Sequence, residues 1–263
     1  MTGEQYRRVS TFLDIVRNET AITDWAAEVH SVNHVPTASG FASSASGFAA
    51  LAGAATRALD VSISEQTLSR IARQGSGSAC RSIYGGFVEW KKGNKTDGSD
   101  SYAVQVQPEG QWDVRLAAVI LSDTVKTTSS REGMKRTVAT SPFYPGWVER
   151  IPHDLREVKD GIKNRDFEKV GSVAEENCLK MHATMLGATP PVMYWHDTTV
   201  RVMQTVQKMR EQGIPAYFTI DAGPNVKVLY LPDDEEKVLK ALRQITGVQE
   251  VIASRSGKGI TYL

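Results

Sequence analysis

Helical and β-type hydrophobic periods follow one another along this chain without a regular strand–helix–strand alternation, and that order constrains the fold more than any single motif. Tyr6, Val9, Phe12, Leu13 and Val16 recur at helical spacing and lead into a β-like run at 27–32, which breaks at Asn33, His34, Val35 and Pro36. Phe48, Leu51, Ala52, Ala55 and Leu59 make a second helical stripe. Ser62 with Glu65, or Ser64 alone, caps a third helix that carries Leu68 and Ile71 and stops at Gly75. Three β-type runs follow at 83–89, 102–106 and 114–121, the last being the expected central strand. From about Trp147 the stripes are again helical: Ile151, Leu155, Val158 and Ile162, then Phe167 to Met181 behind an Asp166 cap, then Val202, Val206 and Met209. Strands are expected at 216–221, 226–231 and 248–252, with a helix at 233–243. The sum is an α+β fold of two domains, 1–112 and 113–263, divided near Gln111.

Charge and composition exclude several function classes. Lys and Arg number 31 against 30 Asp and Glu, a net charge of +1, so nothing marks the chain for nucleic acid or an acidic membrane surface. The most apolar stretch, 47–55, is far short of the ~20 residues needed to cross a bilayer. No secretory signal is read after Met1, and Cys80 and Cys178 show no metal-ligand spacing, so a cytoplasmic protein is expected.

Four clusters carry candidate chemistry. The first is Pro36-Thr37-Ala38-Ser39-Gly40-Phe41-Ala42-Ser43-Ser44-Ala45-Ser46-Gly47, placed directly ahead of a helix. Backbone N–H groups and the positive helix end suit a polyphosphate there, and serine hydroxyls suit phosphate oxygens or Mg²⁺. A capped loop without a ligand is the alternative, since neither Walker A nor a dinucleotide fingerprint is present. The second is Gly75-Ser76-Gly77-Ser78-Ala79-Cys80-Arg81-Ser82, read as a flexible loop in which Arg81 can grip a carboxylate or phosphate with two parallel bonds. The third, 126–135, runs from Lys126 through Ser129, Ser130 and Arg131, with a helix start capped by Ser130 as the plain reading. The fourth places Asp221 at the end of an apolar strand, before the Gly223-Pro224-Asn225 turn, where a carboxylate can serve as a general base or simply open a turn.

Together these residues carry a family resemblance. Pro36 to Ala45 resembles the ATP-binding loop of the GHMP kinase superfamily. The run Gly75 to Phe87 is similar to the substrate loop of mevalonate diphosphate decarboxylases, and Ser129-Ser130-Arg131-Glu132-Gly133-Met134, Met181-His182-Ala183-Thr184 and Tyr217 to Lys227 follow in that family's order. The resemblance implies a GHMP kinase-like two-domain fold with the active site in the cleft between domains. It also implies ATP- and Mg²⁺-dependent decarboxylation of mevalonate 5-diphosphate to isopentenyl diphosphate, and a homodimer.

Residue roles follow from the same resemblance. Asp221, Arg81 and Ser130 are the implied catalytic residues, with Ser76, Gly77, Ser78, Ala79, Cys80 and Arg131 about the substrate. Ser31, Pro36, Gly40, Ala42, Ser46 and Lys126 fall about the nucleotide, and Ser43 and Ser44 about both nucleotide and Mg²⁺. His182 is read as a partly buried helix histidine rather than a proton carrier. The family's opening segment, with Ala-Asn-Ile-Ala and Lys-Tyr-Trp-Gly-Lys, does not occur in this sequence, and a chain starting at Met1 is expected to be inactive or nearly so. Two rival functions are a GHMP-type kinase of a mevalonate derivative, which has no need of an Arg beside a carboxylate, and a homologue that keeps the scaffold without turnover.

Overall fold

The computed structural model describes residues 3–33, 43–121 and 128–262, the side chains of Glu4 and Ser43 excepted. The described residues form two compact units, one of 3–33, 43–109 and 257–262, the other of 110–121 and 128–256. The C-terminal tail from Gly257 therefore belongs with the first unit and not, as the sequence suggests, with the rest of 113–263.

The first unit is mostly helical. Its elements are α1 (Gly3–Thr20), α2 (Ser43–Ala58), α3 (Glu65–Gly75), a 3-10 segment Gly77–Ile83, and the hairpin strands β1 (Phe87–Trp90) and β2 (Ala103–Gln107). The stripe on α1 buries Phe12, Leu13 and Val16 against Phe48, Ala49 and Ala52 of α2 and Leu68 and Ile71 of α3. Phe12 and Phe48 meet edge to face with centroids 5.1 Å apart. Each buried Phe, Leu, Ile or Val among them contributes about 1.5–3 kcal/mol on leaving water, so these helices hold by packing rather than by propensity. Ser64 is the cap of α3, its Oγ accepting the Thr67 N–H at 3.1 Å.

The second unit is built on an antiparallel sheet of order β4-β5-β3-β6: β3 (Arg115–Ile120), β4 (Ala216–Thr219), β5 (Val226–Tyr230) and β6 (Glu250–Arg255). As expected, the 114–121 run is central, paired with β5 on one side and β6 on the other. Ala117 and Val119, Val226, Val228 and Tyr230, and Ala216 and Phe218 form a buried face whose cluster includes Val202, Val206, Val238 and Leu242. These last come from α7 (Asp197–Glu211) and α8 (Glu235–Arg243). A helix α4 (Ser130–Thr140) and a helical pair, α5 (Tyr144–Asn164) and α6 (Phe167–Leu186), complete the unit. Asp166 caps α6, accepting the Lys169 N–H at 3.0 Å.

Several expectations change. The run 27–32 is irregular and mostly exposed, with no strand beside it among the described residues. Only Phe87–Trp90 of 83–89 is a strand; before it Gly86 takes φ +74°, a left-handed turn that glycine adopts without strain. The supposed flexible loop at 75–82 is instead wound into the 3-10 segment. Ser129, not Ser130, caps α4, its Oγ accepting the Glu132 N–H at 3.2 Å. Tyr6 of the α1 stripe is exposed, as is part of Leu155 on α5. Among the described residues no helix is long and apolar enough to cross a membrane.

Candidate active site

In the first unit the glycine-serine run is held from beneath. The Ser76 N–H still reaches the Ala72 carbonyl of α3 at 3.2 Å, and the Ala79 N–H bonds Ser76 O at 2.8 Å, so the chain coils without a break. Ser69, fully buried on α3, donates to the Cys80 carbonyl at 3.0 Å and accepts the Ala103 N–H at 2.9 Å. One hydroxyl thus ties α3, the 3-10 segment and β2 together. Ala79 and Cys80 have no accessible side chain, so only their backbone is open to a ligand. The Cys80 thiol donates to Gly77 O at 3.0 Å, and burial raises its pKa although Arg81 and Arg73 pull the other way. It remains a thiol.

Ser76, Gly77 and Ser78 are half-buried and Arg81 is exposed. Trp90 closes one side: a Cβ on Gly77 would stand 2.8 Å from its ring, and the Arg81 guanidinium lies 5.9 Å from a Trp90 ring centroid. The Trp90 indole N–H donates to Ser101 Oγ at 3.0 Å, which donates to Lys91 O at 3.1 Å, so the ring has a fixed seat. Ser44, in the first turn of α2, puts its hydroxyl 3.2 Å from that of Ser76, bringing the two hydroxyl-rich clusters together. Ser46 is exposed on α2 and Ser31 is exposed in the irregular segment before it. Pro36, Gly40, Ala42 and Lys126 lie outside the described residues, as does the Ser43 side chain.

In the second unit Asp221 lies two residues past Thr219, the last paired residue of β4, and its main chain is anchored on both sides. The Ile220 N–H donates to Cys178 Sγ at 3.0 Å, and His182 Nε2 lies 3.1 Å from Ile220 O. Beyond it the Gly223 N–H turns back to Asp221 O at 2.8 Å, Thr199 Oγ1 donates to Pro224 O at 2.9 Å, and Asn225 Oδ1 accepts the Leu121 N–H at 2.8 Å. The Asp221 side chain is 59% exposed and ion-paired with Lys227 of β5. A cleft of about 320 Å³ between α5 and α6 reaches it, lined by Leu155, Val158, Met181 and Ile220 and by the polar Asp154 and Asn177.

Burial alone would push the Asp154 carboxyl up, but bonds from Asn177 at 3.1 Å and Lys180 at 3.2 Å outweigh it and hold the group below the usual carboxylate range. Cys178 is pushed up to about 11 by burial, and burial likewise lowers His182 despite its bond to Ile220. Ser130 and Arg131 are both exposed in the first turn of α4. Tyr194 donates to Ser129 O at 3.3 Å, and a side chain on Gly133 would strike the Tyr194 hydroxyl.

The sequence reading passed over Ser69, Trp90, Glu175 and Thr199. Trp90 had a signal, an aromatic at the solvent end of a short strand just after a glycine-rich turn. The others had none, because a helix serine, threonine or glutamate reads as surface until its distant partner is known.

Fold and site together define an α+β protein of GHMP kinase-like architecture, and solved mevalonate diphosphate decarboxylases are among its structural neighbours. The structure aligns with mevalonate diphosphate decarboxylase from Staphylococcus aureus at TM-score 0.92 and 44% identity, covering 98% of this chain and 78% of that one. With the decarboxylase described as MDDEF in complex with MVAPP, AMPPCP and magnesium, the TM-score is 0.89 at 44% identity, covering 98% and 79%. The family model for the diphosphomevalonate decarboxylase-like N-terminal domain matches residues 1–103, and that for the mevalonate 5-diphosphate decarboxylase C-terminal domain matches residues 116–260. The chain belongs to the diphosphomevalonate decarboxylase family. It is 41% identical over 223 residues to the diphosphomevalonate decarboxylase of Schizosaccharomyces pombe, and 40% identical over 223 residues to that of Rattus norvegicus. Those matches take in 83% of this chain but only 56% and 55% of the relatives, so the chain spans a little over half the length of the curated relatives it matches.

Proposed function

We propose that the protein carries out ATP-dependent decarboxylation of mevalonate 5-diphosphate, yielding isopentenyl diphosphate, ADP, phosphate and CO₂. The observation that carries this reading is Asp221: an exposed carboxylate at the end of a buried strand, with the main chain fixed on both sides by buried partners. A general base needs that combination of access and aim. Membership of the decarboxylase family supports the substrate class.

Asp221 takes the proton of the substrate's tertiary hydroxyl as its oxygen attacks the γ-phosphorus of ATP, and ADP leaves. The C–O bond then breaks, with its electron pair leaving on phosphate, and the tertiary carbon, which is bonded to the carbon that bears the carboxylate, becomes cationic. The C–C bond to the carboxylate supplies the electrons of the new alkene, and CO₂ departs. Arg81 grips the carboxylate before that step; its guanidinium fork suits two parallel bonds, and Trp90 limits where the fork can lie. Ser76, Ser78, Ser130 and Arg131 contact substrate oxygens, and Ser44 meets the nucleotide phosphates at the start of α2.

Magnesium neutralises phosphate charge when bound. By the family resemblance Ser43 and Ser44 would hold the ion together with the nucleotide phosphates; the Ser43 side chain lies outside the described residues, among which no cluster of three or more His, Cys, Asp or Glu is placed to hold a metal. A cytoplasmic location and a homodimer belong to the same reading. Two buried free cysteines suit a reducing compartment, and exposed Met134, Val138 and Phe143 offer an apolar surface for a second copy.

The test is to incubate the protein with ATP, Mg²⁺ and mevalonate 5-diphosphate and to follow CO₂ and ADP together. Whatever the rate, equal amounts of both identify the decarboxylase, and that turnover is lost in Asp221→Asn with ATP still bound and strongly reduced in Arg81→Lys, whose ammonium cannot form the planar two-bond grip. ADP without CO₂ would instead identify a kinase.

A further inference from the structure

We infer that His182 is a positioning residue for Asp221, acting as an Nε2–H donor that fixes the peptide plane from which the Asp221 carboxylate projects. The inference rests on the reading of Asp221 as the proton acceptor.

β4 lies at the edge of its sheet, so β5 satisfies only one side of it. The N–H and C=O groups on the other side are in the interior and need partners. Helix α6 supplies most of them from a single face. Glu175, Cys178 and His182 follow at intervals of three and four residues, one stripe on a helix. Glu175 accepts the Phe218 N–H at 3.1 Å, Cys178 Sγ accepts the Ile220 N–H at 3.0 Å and stands 3.5 Å from the Ile220 carbonyl, and His182 Nε2 makes the shorter contact to that carbonyl, at 3.1 Å. From α7, Arg210 donates to the Ala216 carbonyl at 2.7 Å. Side chains thus stand in for a neighbouring strand along residues 216, 218 and 220, and the last rung is the residue before Asp221.

That last rung differs from the others in what it controls. The Ile220 carbonyl and the Asp221 N–H share one planar peptide unit, so holding the carbonyl sets the rotation of the plane and the direction of the Asp221 Cα–Cβ bond. The Lys227 ion pair touches only the far end of the side chain. A carbonyl oxygen accepts and never donates, so Nε2 must carry the ring proton. His182 is 2% exposed and its ring lies 5.0 Å from that of Trp195, which leaves it one orientation. With Nε2 committed to a backbone carbonyl and no access to solvent, the ring holds a direction and carries no proton to substrate. Burial favours the neutral ring, in agreement with that geometry.

The experiment compares steady-state turnover of mevalonate 5-diphosphate by the parent chain, Asp221→Asn, His182→Leu, His182→Gln and Leu242→Ala. Glutamine places an amide N–H near the position of Nε2, whereas leucine fills the space without a donor. Leu242 is fully buried on α8 and has no part in the site. Displacing a catalytic group by about 1 Å costs roughly 10²-fold, so His182→Leu is expected to lower kcat on the order of 10²-fold with KM within about threefold. His182→Gln should recover most of that loss, and Leu242→Ala should lose stability while keeping kcat. Equal kcat losses in the two His182 variants, or the same loss in Leu242→Ala, would overturn the inference. Parent-like kcat in Asp221→Asn would instead overturn the reading of Asp221 as the base. A readout independent of turnover is ¹⁵N NMR of His182 at pH 7. The neutral Nε2–H tautomer with a slowly exchanging ring proton is expected; the Nδ1–H tautomer or an imidazolium ion would overturn the inference.

Discussion

Removing the Glu175 carboxylate tests the far end of the same ladder. Glu175 accepts three bonds, from Arg210 Nη2 at 2.8 Å, Arg210 Nη1 at 3.0 Å and the Phe218 N–H at 3.1 Å, with its side chain 10% exposed. In Glu175→Ala the buried Phe218 N–H has no acceptor, which costs about 1–3 kcal/mol, and Arg210 loses a two-bond partner. Breaking a buried pair from one side costs about 3–5 kcal/mol. Arg210 is 27% exposed, keeps the Ala216 carbonyl and lies 4.8 Å from the Tyr217 ring centroid, so it is partly compensated and the lower end applies. A net loss of about 3 kcal/mol is therefore expected, which at 2–4 °C per kcal/mol for a unit of this size lowers Tm by about 6–12 °C. Urea and thermal unfolding followed by circular dichroism would measure it, with Glu175→Ala/Arg210→Met as the second arm. The double variant removes the stranded cation and should be more stable than the sum of the two single losses. A Glu175→Ala protein within about 0.5 kcal/mol of the parent, or strictly additive losses, would refute the account.

Gly77→Ala puts a methyl carbon 2.8 Å from the Trp90 ring, so the ring must shift; a loss of about 1–3 kcal/mol of stability and a change in tryptophan emission are expected, and an unaltered spectrum with parental stability would count against Trp90 as the wall of that loop. The depressed pKa of buried His182 gives a pH effect of definite sign. Below the ordinary value of 6.5 the unfolded state binds a proton that the folded state refuses, so stability falls as pH drops from about 6.5 toward the lower folded pKa. His182→Gln should remove that slope in urea titrations at pH 7.0, 6.0 and 5.5, whereas Asp154, a carboxyl held low, acts only in more acidic solution.

The long helices were legible because their apolar stripes recur over three or more turns, as in Phe12, Leu13 and Val16 or Val202, Val206 and Met209, and burial of that face decides the conformation whatever the partner. The strand at 27–32 and the first half of that at 83–89 failed because a strand exists only with a neighbour, which no local window contains. The backbone at 83–86 does find partners, but in the C-terminal tail: the Ile260 N–H donates to Ile83 O at 3.1 Å and the Gly86 N–H to Gly257 O at 3.3 Å. The candidate site divides in the same way. Arg81, Ser76, Asp221 and the Gly223-Pro224-Asn225 turn stand in short runs whose chemistry shows on the surface of the sequence. Their supports do not, since Ser69 reaches Ala103 and Thr199 reaches Pro224 across 34 and 25 positions.

The anchors around Asp221 share a property that bears on function. Cys178, His182, Thr199 and Asn225 are all buried and all act as neutral groups, bonding the main chain on either side of the carboxylate. Neutral groups can be buried with their hydrogen bonds made at small cost, whereas a buried charge is costly unless it is paired. The one charged anchor on β4, Glu175 with Arg210, bonds the Phe218 N–H and the Ala216 carbonyl, three and five residues before Asp221. The carboxylate itself stays in solvent and is therefore not desolvated by the structure that aims it. Rigidity comes from the backbone and charge from the exposed side chain, so the two can be altered separately: a change at His182 moves the aim, and a change at Asp221 removes the charge.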